Sequence, residues 1–208
     1  MVAQVGAHVE RLIVFHSKYG STEDYALKLA QELSCRSMAL EDMESSDLVG
    51  LDQIIFGAPL RNGSIDRIKD FFKIVDRSET LAKIAIWVNC VSTYREEYFT
   101  TLRERDINDR DLEIPLFYTR GSWNLEEMSF IDRQLAKAQL RSVEKRDPEN
   151  MSLTEATLSD VGEEPEDYTD YEYLKPIMSW AREGEEPGIG RGETDDRISQ
   201  IVMKKTNS

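Results

Sequence analysis

The chain has 208 residues, 40% of them hydrophobic, and its 40 acidic side chains outweigh 26 basic ones for a formal net charge of −14. That length can bury a substantial core as one domain, and that charge argues against nucleic acid or an anionic membrane as a general partner. The first ten residues lack the basic-then-apolar order of a signal peptide, and no apolar run approaches the length of a membrane-spanning helix, so a cytoplasmic protein without a transmembrane segment is expected.

Residues 12–15, Leu-Ile-Val-Phe, read as a strand buried on both faces. A short turn follows, and a helix over 22–33 carries an apolar stripe of Tyr25, Leu29 and Leu33 flanked by Ala26 and Ala30. Residues 37–40 give a faint second strand and 53–57 a third. A helix over 66–75 turns Ile68, Phe71, Phe72 and Val75 inward. Residues 83–89 form a fourth strand, 96–105 a helix and 114–119 a fifth strand. A long helix over 126–143 places Met128, Ile131, Leu135 and Ala138 on one face.

Strands separated by helices pair in parallel through right-handed crossovers. The expected fold is therefore α/β: a doubly wound five-stranded parallel sheet, order 2-1-3-4-5, with helices on both faces. Such sheets bind ligands beyond the carboxyl ends of their strands, beside strand one. Three loops fall there.

The first loop, Ser17, Lys18, Tyr19, Gly20, Ser21 and Thr22, leads straight into a helix. A helix N-terminus leaves backbone N–H groups unpaired and favours negative charge, Gly20 permits close approach, and the hydroxyls suit phosphate oxygens. A hydroxyl-rich turn is also a common helix cap. With neither a G-x-G-x-x-G pattern nor a triphosphate-loop lysine, a terminal phosphate monoester fits better than a triphosphate or dinucleotide. His16 and Lys18 flank the loop as candidate counter-charges. The second loop, Ala58, Pro59, Leu60, Arg61, Asn62, Gly63 and Ser64, carries a tight-turn signal at Asn62-Gly63. The third, Asn89, Cys90, Val91, Ser92, Thr93 and Tyr94, is small and polar and ends in an aromatic. Together they suit a flat heterocycle with a phosphorylated side chain; Tyr94 reads either as its aromatic cover or as a surface tyrosine. Cys35 and Cys90 form no C-x-x-C pair and imply neither a disulfide framework nor a zinc site.

The acidity is uneven. Residues 160–172 hold seven acidic side chains and no basic one. We divide the chain into a domain over 1–183, with an acidic excursion at 147–170 and a returning helix over 171–183, and an acidic tail over 184–208. The excursion reads either as a solvated loop or as a docking surface for a basic partner.

On these motifs the chain resembles the flavodoxin-type FMN proteins. Residues 17–22 are similar to that family's phosphate loop T-x-T-G-x-T, with Tyr19 at the position of the second Thr. Gly-Ala-Pro-Leu at 57–60 resembles its second flavin loop, and Asn62-Gly63 stands where the family meets the flavin N5. The resemblance implies a flavodoxin-like fold and FMN as cofactor. It implies cofactor contacts from the first loop, from Ala58, Pro59, Leu60, Arg61, Asn62 and Gly63, and from Asn89, Cys90, Val91, Ser92 and Tyr94. A redox partner protein or a quinone is implied as electron partner.

A narrower resemblance, to the menaquinone-dependent protoporphyrinogen oxidases of heme biosynthesis, rests on Tyr19-Gly20-Ser21-Thr22, Ile55-Phe56-Gly57-Ala58, Val88-Asn89, Phe117-Tyr118, Ser129-Phe130-Ile131-Asp132-Arg133 and Tyr168-Thr169-Asp170-Tyr171-Glu172. It implies a porphyrinogen substrate and a mouth formed by Arg61, Tyr94, Arg120, Gly121, Ser122 and Trp123, where arginines meet propionates. Trp123 alternatively anchors the long helix. Unlike those enzymes, the chain is acidic after the long helix. A flavodoxin-fold interaction module without flavin is the reading from a different class.

Overall fold

The computed structural model describes residues 9–108, 110, 113–143, 146–147, 151, 155 and 158–183. Strands β1 (Arg11–Phe15), β2 (Arg36–Ala39), β3 (Gln53–Arg61), β5 (Lys83–Cys90) and β6 (Leu116–Arg120) form a parallel sheet in the order β2-β1-β3-β5-β6. This is the expected doubly wound order. One addition was not foreseen: a short strand β4 (Ser64–Ile65) pairs antiparallel with the end of β3.

Side chains alternate across the sheet, so each strand serves two cores. Leu12, Val14, Ile54, Phe56, Ile86 and Val88 face helices α2 (Ile68–Ser78) and α3 (Glu96–Asp106). Ile13, Phe15, Ile55, Ala85, Trp87 and Phe117 face helix α1 (Ser21–Leu33) and the last helix, α5 (Lys175–Glu183). The apolar stripes read for the first two helices are the buried ones.

Helix α4 departs from the expectation. It begins at Phe130 and runs to Val143, and it buries Ala136, Leu140 and Val143. Ile131 is 77% exposed, Leu135 is 50% exposed and Ala138 is exposed as well, so three of the four positions read as inward point outward. Both stripes obey helical spacing, and the partner decides between them. Residues 158–168 supply that partner: Leu158 and Val161, with Tyr168 beside them, pack with Trp123, Leu125 and α4 in a third core. Strand β8 (Glu166–Asp167) also pairs antiparallel with β7 (Ser122–Trp123). This part of the acidic excursion is thus packed structure. The returning helix is a single 3-10 turn over Tyr171–Leu174, capped by Asp170, that passes into α5. The tail at 184–208 lies outside the described residues.

Candidate functional site

The sequence folds residues 16–20 into a turn because β1 ends at Phe15 and Gly20 adopts φ +96°, a region that L side chains disfavour. Gly20 is the N-cap of α1, and no cap side chain accepts from the first-turn amides. The Gly20 N–H donates to Ser17 Oγ at 3.2 Å, closing the turn upon itself. A Cβ on Gly20 would meet nothing within 4 Å, so that side of the turn is open. A helix N-terminus leaves its first-turn amides unpaired, with the helix dipole behind them.

A buried amide holds the hydroxyls beneath the turn. Asn89, 4% exposed, donates through Nδ2 to Ser21 Oγ at 2.9 Å and to Thr22 Oγ1 at 3.1 Å. Thr119 donates to Asn89 Oδ1 at 3.1 Å. Because Ser21 and Thr22 accept from the amide, their own O–H groups remain free to donate. Ser21 lines the cleft and Asn89 sets its orientation. Gly121 lets this network close: a Cβ there would lie 2.8 Å from both Asn89 Nδ2 and Ser21 Oγ.

The opposite wall is the β3–β4 hairpin. Ala58, Pro59, Leu60 and Arg61, expected in a loop, belong to the strand. Asn62 (φ 51°) and Gly63 (φ 73°) then make the two-residue turn, both in the left-handed conformation that Asn-Gly tolerates. Asp106 of α3 braces the hairpin, accepting from Ser64 Oγ at 2.9 Å and Ile65 N at 2.7 Å.

Acidic side chains control the charge. Asp132, near the start of α4, accepts from Lys18 Nζ, from the Tyr19 hydroxyl at 2.5 Å, from Ser129 Oγ at 3.0 Å and from Arg61 Nη2 at 3.2 Å. The bonds from Lys18 and Tyr19 hold its carboxyl well below the usual carboxylate range. Burial and the bond to Asp132 push the Tyr19 phenol up. His16, a candidate counter-charge, instead sits between Glu41 (2.6 Å) and Asp66 (3.5 Å).

The structure brings most of the expected residues together around one cleft. Ser17, Lys18, Tyr19, Ser21, Thr22, Pro59, Leu60, Arg61, Asn62 and Gly63 line it, as do Asn89, Cys90, Val91, Gly121, Ser122 and Trp123. Ala58 is fully buried in the sheet core. Ser92 is buried away from the cleft, where its carbonyl accepts from Tyr118. Tyr94 turns inward against Phe99 (centroids 4.7 Å apart) and Tyr118 (5.7 Å), so it does not cover the cleft. Arg120 bends back: Nη2 donates to the Val91 carbonyl at 2.7 Å, and the guanidinium lies 3.6 Å from the Tyr168 ring centroid. Trp123 lines the cleft and also joins the α4 core, with Nε1 donating to Gly162 O at 2.8 Å. Burial pushes the Cys90 thiol up to about 11, which keeps it protonated and poorly nucleophilic.

Residues unforeseen at the site are Asp66, just after the hairpin, and Met128, Asp132, Leu135, Ala136, Gln139 and Leu158 from the α4 side. Nothing local in the sequence says that α4 returns over the loop at 17–22. The acidic segment also reaches the rim, where Asp160 accepts from Thr93 N (3.0 Å), Thr93 Oγ1 (2.9 Å) and Arg95 Nη2 (2.8 Å). Among the described residues there is no group of three metal-ligating side chains, and no helix is long and apolar enough to cross a membrane.

Residues 12–150 match the family described as "Flavodoxin domain". Solved structures similar to this chain include a flavodoxin, WrbA-like protein from Agrobacterium tumefaciens, 19% identical, with 61% of this chain on 89% of that one and a TM-score of 0.41. The two-electron reduced flavodoxin of Megasphaera elsdenii is 17% identical, with 72% of this chain on 98% of that one and a TM-score of 0.43. The rubredoxin oxygen:oxidoreductase of Desulfovibrio gigas is 13% identical, with 62% of this chain on 33% of that one and a TM-score of 0.42. No curated protein matches the chain.

Proposed function

The chain belongs to the flavodoxin domain family, and from that premise we propose that it binds FMN and works as a redox protein, exchanging electrons with a protein or quinone partner. The donor set carries the reading: an α1 N-terminus without a side-chain cap, an open face at Gly20, and hydroxyls whose protons Asn89 leaves free. These are groups suited to a phosphate monoester.

Residues 17–22 would hold the phosphate. The hairpin at Leu60, Arg61, Asn62 and Gly63 and the strand end at Asn89, Cys90 and Val91 would take the ring between them. FMN, when bound, supplies the electron-transfer chemistry. The protein binds and orients it, and Val91 and Trp123 keep the inner wall apolar.

The porphyrinogen oxidase reading needs free arginines at the mouth. Arg120 is spent on Val91 O and Tyr168, and Arg61 is paired with Asp132. A general redox role is the reading the site supports better.

The test is titration of the purified protein with FMN, followed by flavin absorbance and fluorescence. Saturable binding is expected, and Gly20→Val should abolish it, since a β-branched side chain resists φ +96° and would block the approach. Wild-type protein that binds no FMN refutes the proposal and leaves the interaction module.

A further inference from the structure

We infer that Asp132 is a specificity-determining residue of the anion site: an internal carboxylate that occupies Lys18 and Arg61, so that an incoming phosphate is met by neutral donors and competes with Asp132 for the cations. The inference rests on the FMN reading only for the identity of the anion.

The ordinary explanation for Asp132 is helix capping. Ser129 precedes α4, and its hydroxyl accepts from Asp132 N at 3.3 Å, as an N-cap does. In a capping box the third helical residue reaches back to the cap's backbone N–H. Here the carboxylate turns across the cleft. Oδ2 meets Lys18, Tyr19 and Ser129 Oγ, and Oδ1 meets Arg61. Its partners thus come from the phosphate loop and from the hairpin, the two walls of the cleft.

Two cations share this carboxylate, although Arg61 is also 3.7 Å from Asp66. A phosphate at the α1 N-terminus therefore meets a like charge on α4 and finds its nearest cations engaged. The cleft measures about 210 Å³. Asp132, Leu135, Ala136 and Gln139 of α4 form one of its walls. Asp132 ties that wall to the loop.

Titrations of wild-type protein and Asp132→Asn with FMN, riboflavin and inorganic phosphate, each at low and high salt, test this. Asn keeps the shape and the backbone N–H that Ser129 accepts from. The variant should bind FMN and inorganic phosphate about tenfold or more tighter, with riboflavin unchanged, and the gain should shrink with salt. Adding Lys18→Gln to the variant should remove most of the gain, because the freed lysine is its source. Unchanged or weakened phosphate affinity in Asp132→Asn would overturn the inference. If neither protein binds a flavin but the variant gains phosphate affinity, the inference stands and the FMN reading falls.

Discussion

A Cβ placed on Gly57 would sit 1.8 Å from Cζ2 of Trp87. The two residues are register partners on β3 and β5, and the fully buried indole lies across the glycine. Gly57 heads the Gly-Ala-Pro-Leu segment that resembles a flavin loop, yet here it makes room for the core. Gly57→Ala should therefore destabilise the fold by about 3 kcal/mol, the upper end of ordinary overpacking. Urea denaturation reads this directly, and an unchanged midpoint would show that the indole can step aside.

The Asn89 network predicts a coupled loss. Asn89→Ala strips partners from Ser21, Thr22 and Thr119 at once. We expect about 1–3 kcal/mol of destabilisation from the hydroxyls left unpaired. FMN affinity should fall alongside, because the Ser21 hydroxyl is no longer held towards the ligand. Full FMN affinity in a destabilised variant would confine the network to a structural role.

Within the acidic segment, position matters more than charge count. Asp160→Ala should cost about 2 kcal/mol, since the carboxylate holds the backbone of Thr93 and the Arg95 guanidinium. Glu164 and Asp167 are exposed. Their replacement by Gln and Asn should leave stability and FMN affinity alone and weaken binding to a basic redox partner at low salt. Deleting 184–208 should also leave FMN bound. Equal effects from the inner and outer carboxylates would contradict this division.

Asp132 predicts a pH dependence. Its folded-state carboxyl lies below the unfolded value, so its stabilising effect is complete above the unfolded pKa, about 4, and disappears as pH falls through the folded one. Wild-type protein should exceed Asp132→Asn in stability at pH 7, and the gap should narrow below about pH 4. Denaturant titrations of both proteins at pH 7, 4 and 3 measure it. A gap that stays constant with pH would place the effect in packing.

The sheet was legible because buried parallel strands are apolar throughout and glycine or proline turns punctuate them. Asn62-Gly63 announced its turn for the same local reason. Ala58, Pro59, Leu60 and Arg61 read as loop in the sequence because a proline usually ends a strand; here Pro59 sits near the strand end, beside the hairpin. Chain position puts Tyr94 and Arg120 at the rim, and chain position fixes the backbone and not the side-chain direction. The face of α4, the third core and Asp132 share one cause. Each depends on contacts between residues far apart in sequence, and periodicity within one helix does not record what packs against it.

Tyr25 of α1 donates to Arg120 O at 2.7 Å and accepts from Asp170 N at 2.9 Å, tying the end of β6 to a segment beyond the matched residues 12–150. Leu174, Ile177, Trp180 and Ala181 follow, all at most 4% exposed, against Tyr25, Leu29 and the sheet. A fragment cut at the family boundary would thus lack one side of its own interior. It should be recovered as an aggregating or molten species, and a separately supplied peptide spanning 168–183 should restore its cooperative unfolding.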